Sequence, residues 1–170
     1  MTDNDVYIAL RAQLLKQLNE AGIAVPVVAG FQSTKQGREN RFVMFFPISE
    51  SAHGWQGRNY HCADRNANHR EIQIVEKTLQ VQGVGSFEQY TAGDMTATVR
   101  MIMNSLPFVE TLRKQGIGIQ RAGNLRMPFL INDQGNYELS PSFDITITHS
   151  RNIKPNTATV NVLFPDIYRI

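Results

Sequence analysis

The pattern of apolar positions opens at helical spacing: Val6, Tyr7, Leu10, Leu14, Leu15 and Leu18 recur on one face, Asp3, Asn4 and Asp5 supply cap and first-turn residues, and Gly22 stops the run. An N-terminal helix follows, and because an isolated helix of this length is marginal in water its stripe must lie on something larger, a sheet. Ile23–Phe31 is β-branched but holds Pro26, which predicts a short or edge strand. After a polar loop, 32–40, the run Arg41–Ile48 (RFVMFFPI) is apolar on both parities, as in a strand buried on both faces. Residues 49–69 have no period and predict a protruding irregular loop.

The centre of the chain is residues 70–115. Arg70–Gly83 (REIQIVEKTLQVQG) has strand periodicity, with the inward parity switching from Ile72 and Ile74 to Val75, Leu79 and Val81, which predicts a bulge or sharp twist near Glu76–Thr78. Thr91 and Asp94 form a capping-box pattern ahead of a helical stripe of Met95, Val99, Ile102, Met103 and Leu106. Pro107 then breaks or kinks the helix, and a short second segment runs to Gln115 and ends at Gly116. The methionines of that stripe are core filler. From Gly116 onward the pattern is β: short strands at Ile117–Arg121 and Met127–Ile131, a turn at 132–136, and strict alternation in Phe143–Thr148. Residues 151–170 form a C-terminal strand and an apolar-aromatic extension. These elements define an α+β fold. A central, mostly antiparallel sheet is packed by an N-terminal and a mid-chain helix in one domain over residues 1–150.

Composition narrows the function classes. With 170 residues and 42% hydrophobic content the chain has one core, and a net charge of +2 with scattered Lys and Arg is not the clustered footprint of nucleic-acid binding. Cys62 is the sole cysteine, so no intrachain disulfide framework exists, in keeping with a reducing compartment. A polar, acidic start and the lack of a long apolar run predict a soluble chain made in the cytosol, with no membrane partner. His53, His61, Cys62 and His69 invite a metal, but no pair has chelate spacing, and none is expected. Asp133 and Asp144 read as a turn residue and a solvent-face residue rather than catalytic carboxylates, and no phosphate-binding loop or nucleophile motif is present. No cofactor and no enzyme activity are expected; binding or assembly is.

Read together, Phe42–Ser49, Leu79–Gly85, Val99–Ser105 and Tyr137–His149 resemble neck or tail-terminator proteins of tailed bacteriophages, in particular the neck-terminator group of contractile-tailed phages and prophages. The chain departs from that pattern in its tail beyond His149 and in the His- and Arg-rich stretch 49–69. The resemblance implies a tail-terminator-like α+β subunit in a homohexameric ring in the virion neck, assembled in the host cytoplasm. Such a ring ends polymerisation of tail tube and sheath and joins the tail to the head-completion or connector protein. Sheet edges can be extended between its subunits, and genomic DNA passes through its lumen without sequence-specific binding. Trp55, Arg58, Tyr60 and His61 in the loop and Phe164, Ile167 and Tyr168 in the tail are the expected subunit or partner contacts, because aromatic and Arg residues anchor interfaces. Two alternatives remain: a nucleic-acid-associated binder or enzyme using the loop 53–70 (His61, Arg58, Arg65 and Arg70), and an enzyme whose site is gathered from scattered residues.

Overall fold

The structure, a computed structural model, describes residues 1–30, 41–63, 66–85, 90–131, 135 and 137–158; for 61–63, 66–68, 130, 137 and 156–158 it describes the backbone alone. Helix α1 spans Asp3–Glu20. Its N-cap is Thr2, one residue before the acidic run: the Asp5 backbone N–H donates to Thr2 Oγ1 and the Thr2 N–H donates to the Asp5 carboxylate. Strand β1 is short, Val27–Ala29, and runs parallel to the first three residues after Phe42 in β2, as an edge strand should.

Strands β2 (Phe42–Ala63) and β3 (Asn66–Val84) form one long antiparallel hairpin. This corrects the expected loop at 49–69, which is strand on both sides. Periodicity does not reveal it because residues 49–60 are exposed on both parities, so no apolar alternation is required of them. Nor is Arg41–Ile48 buried on both faces: Val43 and Phe45 are buried, whereas Met44 and Phe46 on the other parity are half-buried.

The parity switch within Arg70–Gly83 is also absent. From Glu71↔Ile153 to Gln82↔Ser142, β3 keeps one register against β7 (Ser142–Ile153), with Val75, Lys77, Leu79 and Val81 on the inner face throughout. Ile72 and Ile74 belong to the opposite face, and Ile74 is 49% exposed. The irregularity lies across the ladder, in β2: Pro47 faces Leu79 and Ser49 faces Thr78, so Ile48 is a bulged residue with no partner. A one-residue bulge inverts the parity of everything after it. Glu50 is thereby placed on the same face as Phe45.

Helices α2 (Ala92–Met103) and α3 (Leu106–Lys114) complete the inner layer. The Thr91–Asp94 capping box is formed. Pro107 does not break a continuous helix; it occupies the first turn of α3, where no intrahelical donor is needed, behind the N-cap Ser105. Leu106 consequently faces solvent rather than continuing the stripe of Met95, Val99 and Met103. Those three side chains join Val6, Leu10, Leu14 and Leu18 of α1, Phe108 and Leu112 of α3, and Val43, Phe45, Leu79, Val81, Phe143, Ile145 and Ile147 of the sheet in one core. The approach of α2 to the sheet depends on Gly83, since a Cβ there would collide with Thr96 Oγ1 and lie 2.9 Å from Met95 Cε.

The sheet order is β1-β2-β3-β7-β4, where β4 is only Gly118–Ile119; β8 (Asn156–Ala158) pairs separately with β3. β5 (Phe129–Ile131) and β6 (Tyr137–Leu139) make a small second sheet; of the turn expected between them only Gly135 is described, at φ +79°. The fold is thus α+β with a mostly antiparallel central sheet. Met95→Ala is expected to destabilise by about 2–5 kcal/mol, whereas Leu106→Ala, at a side chain 73% exposed, should change stability by less than about 0.5 kcal/mol; urea melts of the two variants check this.

Candidate functional site

The feature that stands outside the core is the far half of the hairpin. Beyond Val75 the alternation of β3 continues without helix cover, and β8 resumes on β3 in the register of β7: Ile153 faces Glu71 and Asn156 faces Asn68, so two residues lie between them on both strands. Residues 49–63 of β2, 66–75 of β3 and 149–158 of β7 and β8 therefore form a three-stranded ribbon.

At its root lies a cluster of charges on the inner face. Lys77, 3% exposed, donates to Asp3 at 2.6 Å and to Glu50 at 2.8 Å; Arg151 donates to the same two carboxylates, each at 2.8 Å. Asp3 comes from the first turn of α1, where the helix dipole favours it. Glu50 reaches the cluster through the bulge at Ile48, and Lys77 and Arg151 face inward by strand alternation. Two cations and two carboxylates so tie the helix N-terminus to three strands. Burial alone would raise the Asp3 carboxyl and lower the Lys77 ammonium. The hydrogen bonds between them, with those from Arg151 to Asp3 and from Lys77 to Glu50, outweigh it, holding Asp3 below and Lys77 above their ordinary values.

His149 is buried next to this cluster, its Nε2 3.8 Å from Asp3 and neither ring nitrogen in a hydrogen bond. Burial pushes its pKa down; the neighbouring Ser150 backbone and the Asp3 charge oppose this, while Lys77 and Arg151 reinforce it.

Further out, the inner face carries Tyr60 stacked on His69, ring centroids 4.3 Å apart, and Arg58 3.4 Å from Glu71, which also lies 3.3 Å from His69 Nε2. Between His53↔Ile74 and Gly57↔Ile72, Gly54, Trp55 and Gln56 oppose Gln73 alone. This second bulge adds two residues, so parity is preserved and Arg58 and Tyr60 stay on the face of Glu50. Gln73 holds the bulge open by donating from Nε2 to the His53 carbonyl at 3.0 Å and the Gly54 carbonyl at 3.4 Å, and Gly54 supplies φ +70°. Trp55 is 100% exposed at its crest.

Of the residues expected to make contacts, Trp55, Arg58 and Tyr60 thus share the ribbon; His61 is described only as backbone within β2, and Phe164, Ile167 and Tyr168 lie outside the described residues. The nucleic-acid alternative is not gathered into one patch. Arg58 is paired with Glu71, Arg70 belongs to the opposite parity of the ribbon, and Arg65 is outside the described residues. His53 and His69 likewise belong to opposite faces by register, and among the described residues no group of three potential metal ligands exists. A depression lined by Arg100, Met101, Asn104 and Arg121, among others, contains no carboxylate or histidine and so lacks an acid–base pair. Sequence reasoning missed the charge cluster altogether, because its members are distant along the chain and only the Ile48 bulge brings Glu50 to the correct face.

The described residues form a helix-covered body from which a strand ribbon extends. A family model described as E217 gateway protein gp29 matches residues 5–159, and the chain belongs to that family. It is accordingly a bacteriophage structural protein of the head–tail junction, located in the virion. The match is to a gateway family and not specifically to the contractile-tailed terminator group that the sequence pieces resemble. No curated protein matches the chain.

The sign of the pH response follows from the cluster. His149 binds a proton less readily folded than unfolded, so its contribution to stability is present above the ordinary histidine value and is lost as pH falls below it; Asp3 adds a second loss as pH falls through and below the carboxylate range. Thermal melts are therefore expected to fall from pH 7 to pH 5, with the fall reduced in His149→Phe. Lys77→Met should cost about 2 kcal/mol, less than the ~3–5 kcal/mol of a fully buried broken pair because Arg151 still serves both carboxylates.

Proposed function

We propose that the chain closes into a homohexameric ring at the head-proximal end of a phage tail, where it ends polymerisation of the tail tube and sheath and joins the tail to the head-completion or connector protein. The family match across residues 5–159 is the observation that carries this reading. The ribbon supports it: a fully exposed indole presented on a bulge that Gln73 braces is costly to leave in water and suits burial against a partner. Trp55, Arg58, Tyr60 and His61 on the ribbon, with Phe164, Ile167 and Tyr168 of the C-terminal extension, are the proposed contacts. The ring assembles in the host cytoplasm, and genomic DNA passes through its lumen without base readout.

Native mass measurement of the full chain, alone and with tail-tube protein, is expected to show a sixfold assembly; a monomer under both conditions defeats the reading. Trp55→Ala is expected to keep its stability within about 0.5 kcal/mol and to weaken assembly by about 30-fold, as for a truncated hot-spot aromatic worth ~2 kcal/mol. Unfolding of that variant would instead place the ribbon in the core.

A further inference from the structure

Helices α2 and α3 meet the segment that follows β4 along a groove on the body. It consists of two adjoining depressions, of about 610 and 360 Å³, that share Asn104 and Arg121. Asn104 is the C-cap of α2, and its Oδ1 accepts from the Ala122 N–H at 2.8 Å. The Gln120 N–H donates to the Thr146 carbonyl at 2.9 Å and the Gly123 N–H to the Asp144 carbonyl at 2.7 Å. These three bonds fix one wall of the groove and run it along β7 from Thr146 toward Asp144, away from the ribbon. The groove holds two guanidinium groups, Arg100 and Arg121, and neither forms an ion pair among the described residues. Their neighbours do: Arg113 pairs with Glu110 at 3.3 Å and Arg126 with Asp144 at 2.5 Å. Apolar side chains line much of the remainder, Met101 at 70% exposure together with the half-buried Val109 and Ile119.

We infer that this groove binds an acidic, partly apolar peptide segment of another protein, its carboxylates held by Arg100 and Arg121 and its apolar side chains laid against Met101, Val109 and Ile119. Charge complementarity sets the sign. Two uncompensated cations in a concave surface with no carboxylate among its described lining make the potential there positive. The carbonyl end of α2 opposes this, but its fractional charge of about half a unit is small against two full ones. Arginine forks onto a carboxylate with two parallel hydrogen bonds, and Asn104, whose Oδ1 is occupied, keeps its amide N–H groups as further donors. The apolar wall decides between peptide and nucleic acid. A phosphate backbone gives Met101 and Ile119 nothing to pack on, whereas a peptide with an apolar residue beside its carboxylates satisfies both halves of the groove. Most described carboxylates of the chain itself are already held internally, among them Asp3, Glu50, Glu71, Glu110 and Asp144, so the described part of a second copy has few to offer. Because the wall is fixed by its own hydrogen bonds, little ordering of the groove is needed on binding. The groove is separate from the ribbon, and the inference does not rest on the ring reading.

Selection from a displayed library of short random peptides against the immobilised full chain tests this. Retained peptides are expected to combine Asp or Glu with a nearby apolar residue, and to bind the Arg100→Gln/Arg121→Gln chain about tenfold more weakly. Retained peptides without acidic residues, equal retention on the double variant, or a library from which nothing is retained overturns the inference. The same peptides serve as ligands for a chain carrying carbon-13 in its methionine methyl groups. They are expected to shift the Met101 resonance and to leave those of the buried Met95 and Met103 in place; binding that leaves Met101 unmoved lies outside the groove and overturns it. A short DNA duplex is the competing probe. If the duplex shifts Met101, loses that effect in the double variant and displaces the peptides at lower concentration than they displace it, nucleic acid is the occupant and the peptide reading fails. A double variant whose native mass differs from that of the unsubstituted chain shows a second copy in the groove and overturns it as well. Should the double variant lose its circular dichroism, Arg121→Gln alone decides: the side chain is exposed, and peptide binding is expected to weaken by about threefold, no weakening being the result that sinks the inference.

Discussion

β3 is the constraint on which the rest of the structure depends. From Asn66 to Val84 it is paired to β2 on one side, across two bulges of β2, and from residue 66 to 82 it is flanked by β8 and then β7 on the other in a single register. An interior strand fixed on both sides cannot slip, so its alternation sets the faces of its neighbours. At Leu79 and Val81 the inner face is part of the dry core, at Lys77 it carries the charge cluster, and over His69–Glu71 the same face runs on with paired polar groups. Body and ribbon are one sheet under two degrees of burial.

The adjustments are confined to β2. Its first bulge, one residue at Ile48, inverts parity and delivers Glu50 to Lys77; its second, two extra residues at Gly54–Gln56, restores the ladder without inverting it and lifts Trp55 into solvent. Lys77 occupies an inward position that an apolar residue would fill elsewhere on the strand. Its charge is tolerable there because Asp3 and Glu50 both accept from it, and the charge cluster marks where the core ends. The cluster joins the first turn of α1 to β2, β3 and β7 at the root of the ribbon.

Much of the architecture was legible from residue order because it rests on local chemistry. The stripe Val6–Leu18, the Thr91–Asp94 box and the alternation of Phe143, Ile145 and Ile147 each carry their own signal, and each forms as the spacing predicts. The errors share a different cause. The exposed residues 49–60 of β2 need no hydrophobic period, so their strand leaves no signal in the alternation. Ile72 and Ile74, apolar and therefore expected inward, lie on the outer face by register. Trp55, Arg58 and Tyr60 were picked out by residue type alone, and the tertiary fold places all three on the ribbon.

The sequence by itself determined the α+β class, the helices with their caps, the inward residues of β7 and, through its likeness to phage neck proteins, the head–tail setting that the family match supports. Only the tertiary structure decided which face Glu50 and Trp55 present, which strands flank β3, and that Asp3, Glu50, Lys77 and Arg151 meet. The physical reason is that periodicity and capping act within a few residues, whereas register is settled by pairing across the sheet, and a single bulged residue redirects every side chain that follows it.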